Sequence, residues 1–296
     1  MISDDIRSKI KRIKIYSKRL IKNGLTGDYL SAFKGSGLEF EKIREYQPGD
    51  DVRFIDWNST ARMNKLMVKQ FVEERERTII LAIDLSSSLT YSSKTELKRD
   101  MAAMIAAVLA FIANDNKDKV GALFFSDKIE KWIAPSNGDL HIGTILENIF
   151  SLKSTKKSVL TNFREALNFL ISLKKRNAVV FMLSDWIVDM QELIKFLKIV
   201  AFEYDFIAVR ILDELERSFP EVGLLKLLDL ETDNLLPLNI FGEEGTKKIN
   251  ILLKERLIEQ QRIFEKHKID LLDLTVDHPF INSMIKFFRG RIRRQI

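Results

Sequence analysis

Short apolar segments alternate with longer amphipathic ones along most of this 296-residue chain. The short segments are rich in β-branched residues and resemble buried strands, whereas the long ones carry apolar residues at helical spacing. The pattern predicts strands over 78–83, 119–126, 128–134, 177–184, 206–212 and 269–276, and helices over 94–113, 139–152, 163–175, 190–202, 246–268 and 280–288. Residues 128–134 are predicted to pair antiparallel with the strand before them. Such alternation indicates an α/β fold with an open, mostly parallel sheet and helices on both faces.

Two segments interrupt this alternation and predict additions to the α/β fold. Residues 223–238 place apolar runs on either side of a polar turn, which predicts a β-hairpin insertion. Residues 35–62 mix acids, arginines and aromatics without a clean period of 2 or 3.6. We expect the latter to form a salt-bridged segment over the body, and residues 65–76 to form a strand. The predicted organisation is an N-terminal part, 1–76, packed on a body of 77–296.

Composition excludes several classes of site and location. The chain has no cysteine, and its three histidines are far apart, so neither a disulfide framework nor a zinc site is expected. The longest unbroken apolar run covers 13 residues, 101–113, whereas a membrane span needs about 17–25. That run therefore predicts a buried helix and no transmembrane segment. Without an apolar leader at the N-terminus, we expect the protein to be cytoplasmic.

The net charge of +6 is concentrated at the two ends. Residues 1–22 hold eight Lys or Arg against two Asp, and residues 286–296 form a basic tail with five Lys or Arg. The remaining body is mildly acidic, so nucleic-acid binding across the fold is not expected. Residues 3–22 predict a helix with one apolar stripe and a basic opposite face. We expect it to pack on the body, and peripheral contact with a membrane surface is the alternative.

The strongest candidate chemistry follows the strand over 78–83. That strand ends in Asp84, Ser86 and Ser88, in the pattern D-x-S-x-S. Open α/β sheets bind ligands at the carboxyl ends of their strands, and hard cations such as Mg²⁺ prefer oxygen ligands. The alternative is that these residues only cap the following turn, which short polar side chains do well.

Two further residues extend this candidate site. Asp185 follows another predicted strand, and Thr161 lies in a loop between them. Because parallel strands end at the same edge of a sheet, we expect Asp84, Asp185 and Thr161 to come together. The result would be an all-oxygen site for Mg²⁺, with Mn²⁺ or Ca²⁺ as alternatives. No general base is placed to activate water, which favours binding over hydrolysis.

Asp50 and Asp51, in the segment over 35–62, suggest a second hypothesis for the function. Together with Asp84 and Asp185 they could form a metal-dependent phosphoesterase or nuclease, with the basic ends holding phosphate. Nearby arginines favour instead a local ion network for Asp50 and Asp51. A third possibility is a domain that binds no metal and interacts through its surface alone.

Two motifs resemble known families. The residues Asp84-x-Ser86-x-Ser88, Thr161 and Asp185 resemble the metal-ion-dependent adhesion site of von Willebrand factor type A domains. The run R-x-Y-x-P-G-D-D-x-R-x-I-D-W, from Arg44 to Trp57, is similar to the signature of the family called domain of unknown function fifty-eight. The second resemblance covers nearly the whole chain and includes the predicted hairpin and the closing strand and helix.

The resemblance implies a function as well as a fold. It implies a von Willebrand factor type A (Rossmann-like) domain with an N-terminal elaboration, and Asp84, Ser86, Ser88, Thr161 and Asp185 as metal ligands. It further implies a non-enzymatic adaptor for a MoxR-type AAA+ ATPase in protein assembly or activation, which would bind an acidic residue of a protein partner. The residues leading into Thr161 depart from the usual glycine-rich approach, so Ser158 is an alternative ligand.

Overall fold

The fold is known from a computed structural model that describes most of the chain. The described residues are 4–20, 26–33, 38–73, 77–90, 92–93, 97–152, 161–175, 178–220, 227–228, 235–236 and 242–295. They divide into two compact units. We call Met1–Ala32 together with Arg77–Ile296 the body, and Phe33–Glu76 the signature unit.

Helices and strands alternate through the body as the hydrophobic pattern predicts. In chain order the elements are α1 (Asp4–Leu20), α2 (Thr26–Ala32), β1 (Leu38–Glu45), α3 (Trp57–Met63), β2 (Met67–Glu73), β3 (Thr78–Asp84), α4 (Lys98–Asp115), β4 (Lys119–Phe125), β5 (Ile129–Ser136), α5 (Asp139–Ser151), α6 (Phe163–Leu173), β6 (Ala178–Ser184), α7 (Met190–Glu203), β7 (Asp205–Leu212), α8 (Glu214–Arg217), β8 (Leu227–Leu228), β9 (Leu235–Leu236), α9 (Gly242–Lys266), β10 (Asp270–Thr275) and α10 (Phe280–Gln295).

Six strands form the central sheet of the body. Their order is β10-β7-β6-β3-β4-β5, and every neighbouring pair is parallel except β4 and β5. The predicted α/β class, the mostly parallel sheet and its antiparallel edge strand are thereby confirmed. The chain proceeds from β3 outward to β4 and β5 and then returns to β6 on the other side of β3. This reversal places a crevice at the carboxyl ends of β3 and β6, where α/β proteins bind ligands.

Helices cover both faces of the sheet. On one face Ile80 and Ala82 of β3 belong to a buried cluster with residues of α6, α7 and α9. Alternation along a strand puts Ile79, Leu81 and Ile83 on the opposite face, which α4 covers. Most of α4 is buried, which explains why it lacks a polar stripe. Helices therefore cover both faces of β3, which leaves its carboxyl end as the place where a ligand would bind.

The basic helix α1 packs against α4 and α5, as we expected. Ile13 and Ser17 are buried at this contact, and Lys14 and Lys18 lie 3.1 and 2.7 Å from the carboxylate of Asp139. The outer face of α1 is exposed, including Ile15. Contact of that face with a membrane surface remains a hypothesis. No helix within the described ranges is long and apolar enough to cross a bilayer.

The basic C-terminal residues form a helix and not a tail, so that part of the prediction is wrong. The last helix, α10, continues to Gln295. It continues because Arg291 is buried and lies 2.7 Å from Asp205 and 3.3 Å from Asp270, which neutralise its charge. Arg294 lies 2.7 Å from the same Asp270. These pairs join the helix to the edge of the sheet.

Several element bounds also differ from the predictions. The helix predicted from residue 94 begins at Lys98, after a non-helical Leu97. The short elements α2, β1 and α8 are absent from the predictions. In the predicted hairpin, β8 and β9 pair antiparallel, and the turn between them lies outside the described residues.

The signature unit contains a β-hairpin and its own ion pairs. Its strands β1 and β2 pair antiparallel, with a bulge between Phe40 and Lys42. Arg44 makes two hydrogen bonds of 2.7 Å to the carboxylate of Asp50, and Arg53 lies 2.6 Å from that of Asp51. The expected ion network is therefore present for both acids.

Candidate functional site at the strand ends

Asp84 lies at the carboxyl end of β3 and is fully buried. Its Oδ1 accepts a 2.8 Å hydrogen bond from the backbone N–H of Ser86, and its Oδ2 accepts one of 2.7 Å from Ser184 Oγ. The next residue, Leu85, donates its N–H to the carbonyl of Phe125 at 2.8 Å, which ties the turn to β4. The carboxylate is thus held in one orientation by its own turn and by the neighbouring strand β6.

Besides Ser184, three further hydroxyls lie near this carboxylate. Ser86 Oγ is 2.9 Å from Ser88 Oγ, and both side chains are buried. Thr161 Oγ1 is 3.5 Å from Asp84 Oδ2. The loop that carries Thr161 is fixed by the next residue, because Asn162 N–H donates to the carbonyl of Ser126 at 2.7 Å. The structure therefore brings Asp84, Ser86, Ser88 and Thr161 together, whereas Ser158 lies outside the described residues.

Asp185 directly follows β6, next to a residue that is fixed by packing and hydrogen bonds. The following residue, Trp186, has a left-handed φ of 57°, which is uncommon for a bulky residue and persists only where the surroundings enforce it. Its ring is fully buried and stacks on Phe163 at 5.0 Å between centroids. Its carbonyl accepts a 2.6 Å hydrogen bond from Gln260 of α9. Packing around Trp186 therefore sets where Asp185 can point.

The two carboxylates repel each other in a buried environment. Burial, followed by the charge of Asp185, raises the pKa of Asp84 to about 7, although hydrogen bonds from Ser184 and Ser86 oppose the shift. A carboxyl group with so high a pKa lacks a compensating positive charge. Asp84 is therefore the group in this site that a bound cation would stabilise most.

Asp185 already has a cationic partner, which the sequence did not reveal. Lys98 Nζ lies 2.9 Å from Asp185 Oδ2 and 2.6 Å from Glu216 Oε1. Burial lowers the pKa of Lys98, but Asp185 and Glu216 outweigh it and the net shift is upward. The ammonium group is therefore charged and shared between two carboxylates.

The arrangement fits a hard divalent cation with few protein charges. One carboxylate short of positive charge and several hydroxyl oxygens converge at a strand end, which is ligand chemistry suited to Mg²⁺. Within the part of the chain that the structure describes, no group of three or more acidic or histidine side chains is gathered for a metal. A cation here would depend on Asp84, the hydroxyls, water and a ligand from elsewhere.

Two residues that sequence reasoning missed complete the site, Ser184 and Lys98. Ser184 directly precedes Asp185 and could have been suggested by its place at a strand end. Lys98 is one of 48 Lys and Arg in the chain, and only its burial distinguishes it from a surface lysine. No signal in the sequence could have identified it.

Comparison with known proteins identifies the family. The family described as Protein of unknown function DUF58 matches residues 42–249. This chain belongs to that family. The matched range includes the whole Arg44–Trp57 signature, most of the signature unit and all five proposed metal ligands. The resemblance that the signature suggested is thereby confirmed.

Relatives from two bacterial groups share parts of the chain. The uncharacterised protein Rv1480 of Mycobacterium tuberculosis is 28% identical over 97% of this chain and 90% of its own length. The uncharacterised protein YeaD of Bacillus subtilis is 31% identical over 36% of this chain and 25% of its own length. The mycobacterial relative therefore shares nearly the full extent of the chain.

Solved structures with a similar architecture include von Willebrand factor type A domains. The conserved hypothetical protein BatB of Bacteroides thetaiotaomicron is 15% identical, with a TM-score of 0.45 over 74% of this chain and 98% of its own. The VWA domain of SpRpn10 is 12% identical, with a TM-score of 0.39 over 71% and 93% of the two chains. With both TM-scores below 0.5, the likeness is a coarse one.

Proposed function

We propose that this protein is a non-enzymatic interaction module that binds a partner through a divalent cation at the carboxyl ends of β3 and β6. Mg²⁺ is the expected ion, with Mn²⁺ or Ca²⁺ as substitutes, and Asp84, Ser86, Ser88, Thr161 and Asp185 are the proposed ligands. The observation that carries the proposal is the fully buried Asp84 carboxyl group at a strand end, with the hydroxyls of Ser86, Ser88 and Thr161 gathered beside it. Burial and the charge of Asp185 raise the pKa of Asp84 to about 7. A cation would remove the unfavourable charge that burial and Asp185 impose on it.

The charge of the site favours an acidic partner. Asp84 and Asp185 carry two negative charges when ionised, and Lys98, which is shared with Glu216, offsets part of the charge of Asp185. A divalent cation would then keep part of its positive charge and could take a carboxylate of another protein as a further ligand. We propose that this carboxylate belongs to a MoxR-type AAA+ ATPase or its client, with the module acting as a cytoplasmic adaptor in protein assembly or activation.

Binding is favoured over hydrolysis by what surrounds the proposed cation. A metal-dependent phosphoesterase needs a group that activates water. The third acid near Asp185, Glu216, is held by Lys98 at 2.6 Å, and no group of three acidic or histidine side chains is gathered for a metal within the described ranges. Asp50 and Asp51, the further acids of the phosphoesterase hypothesis, are paired with Arg44 and Arg53 inside the signature unit. These pairings support the adaptor hypothesis over the phosphoesterase one.

The proposal is tested by capture of a purified MoxR-type AAA+ ATPase from the same organism. We expect Mg²⁺-dependent capture by the wild-type chain, and loss of capture both in EDTA and in Asp84→Ala. The matched control is Asp51→Ala, which removes an acid outside the site and should capture the ATPase as the wild type does. Capture that persists in EDTA and in Asp84→Ala would contradict a cation bridge.

A further inference from the structure

A fully buried lysine lies beside the proposed cation site without being one of its ligands. The side chain of Lys98, the first residue of α4, is 1% exposed. Lysine is almost never buried to this degree unless it is paired. Its two partners are Asp185, at 2.9 Å, and Glu216 of α8, at 2.6 Å. The ammonium group is thus held between a proposed metal ligand and an acid that belongs to another element.

Glu216 is in turn fixed by the segment that follows β7. Its Oε2 accepts a 2.8 Å hydrogen bond from the backbone N–H of Asp213, and the two residues form a reciprocal cap on α8. Asp213 accepts hydrogen bonds of 2.8 and 2.6 Å from the N–H and Oγ of Ser93. These hydrogen bonds hold the Glu216 carboxylate in place independently of Lys98. The carboxylate is therefore a fixed second partner for the ammonium group of Lys98.

The position of the ammonium has a direct consequence for cation binding. Asp185 Oδ2 faces Lys98 Nζ, and Asp185 Oδ1 accepts the N–H of Ile187 at 3.2 Å. A divalent cation that used Asp185 would meet the positive charge of Lys98 at short range. In a buried environment that repulsion is poorly screened. The cation and the ammonium therefore compete for one carboxylate.

We infer that Lys98 is an internal counter-ion that limits divalent-cation affinity by holding Asp185, and that Glu216 sets the balance by offering the ammonium a second carboxylate. The inference rests on the proposed cation site. It predicts opposite effects from two residues that are not themselves proposed ligands. Removing Lys98 frees Asp185 and lowers the positive charge, whereas removing the charge of Glu216 leaves the ammonium to Asp185 alone.

The test is a Mn²⁺ titration of the full chain, followed by electron paramagnetic resonance of free Mn²⁺. We expect Lys98→Met to bind Mn²⁺ about tenfold more tightly than the wild type, and Glu216→Gln about tenfold more weakly, within the usual range for coupled sites. Lys9→Met is the matched control, because Lys9 of α1 also pairs with an acid, Asp100 of α4, but not with a proposed metal ligand. It should bind Mn²⁺ as the wild type does.

The outcomes separate this inference from the proposed function. Equal affinities for the wild type, Lys98→Met and Glu216→Gln would overturn the role of Lys98 and leave the cation site standing. Binding by Lys98→Met but not by the wild type would support the inference and overturn cation-dependent capture by the native chain. Absence of binding in all three would overturn both. If Lys98→Met does not fold, Glu216→Gln decides alone, and an affinity equal to or above that of the wild type overturns the inference.

Discussion

Acids and basic residues gather in two regions of this molecule, with opposite physical outcomes. In the signature unit Asp50 and Asp51 are each matched by an arginine, and hydrogen bonds from those arginines lower the pKa of both carboxyl groups, that of Asp51 to about 2. At the strand ends of the body, burial and a neighbouring acid raise the pKa of Asp84 to about 7. The first set of charges is satisfied within the chain, and the second is not.

The difference shows that burial, more than the density of acids, distinguishes a candidate site from a structural network. The signature has two adjacent acids and Asp56 within a conspicuous motif, and Asp56 accepts the N–H groups of Asn58 and Ser59 at the start of α3. All three acids thus have local structural partners. The Asp84 carboxylate also accepts hydrogen bonds, but no cationic side chain is among the groups that offset the effect of its burial.

The largest expected effect compares one tryptophan from each region. Trp186 is fully buried behind Asp185, whereas Trp57 of the signature unit is 66% exposed. Trp186→Ala should lower the free energy of unfolding by about 3–5 kcal/mol, the usual cost of removing a buried aromatic ring. Trp57→Ala should change it by about 0.5 kcal/mol or less. Urea denaturation followed by circular dichroism measures both, and similar losses would contradict the comparison.

The sequence predicts the two regions to different degrees for physical reasons. Asp84, Ser86 and Ser88 follow directly on an apolar strand, and parallel topology places Asp185 and Thr161 at the same sheet edge. Asp84, Ser86, Ser88 and Asp185 could be proposed from the sequence because strand ends follow from the hydrophobic pattern, and Thr161 because its loop lies between those two strands. The contact of Lys98 with Asp185 joins residues 87 positions apart, and no local pattern encodes it.

Strand β1 illustrates a different kind of failure. Its residues do alternate at Leu38 and Phe40, but the bulge shifts the register before Lys42, so the next apolar residue is Ile43. A bulge inserts one extra residue and breaks the period of 2 on which strand prediction depends. The signature segment was therefore recognisable as a motif while its hairpin was not predictable from periodicity.

An effect of up to about 4 kcal/mol in total, comparable with that of Trp186→Ala, is expected from the pH dependence of stability in cation-free buffer. The folded pKa of Asp84, about 7, lies above the ordinary value of 3.8, so the protonated group favours folding. This contribution is fully present below about pH 4 and is lost as the pH rises to about 7, at up to about 1.4 kcal/mol per unit. Asp84→Asn cannot ionise and should lack that loss.

The measurement is the free energy of unfolding of the wild type and of Asp84→Asn between pH 4 and 8, in EDTA. The difference should grow in favour of Asp84→Asn up to about pH 7 and then stay constant. Added Mn²⁺ should reduce the difference by stabilising the ionised wild type alone. Parallel pH profiles for the two proteins in EDTA would show that Asp84 ionises normally and would remove the contrast with Asp51.

The smallest effect is expected from the half-buried pair of Arg44 and Asp50, which still reaches solvent. Arg44→Met removes the charge and keeps most of the stem, while Asp50 still accepts the N–H of Gln47 at 2.8 Å. Ion pairs that reach solvent contribute little to the free energy of unfolding. Salt weakens them further, because the Debye screening length is about 3 Å at about 1 M ionic strength. We expect Arg44→Met to have a slightly lower unfolding midpoint than the wild type in dilute buffer, and no resolvable difference from it in about 1 M NaCl.

The buried Lys98 network should not respond to salt in this way, because solvent ions cannot reach it. A salt-independent loss in Arg44→Met would therefore mean that the signature unit, too, depends on charges shielded from solvent.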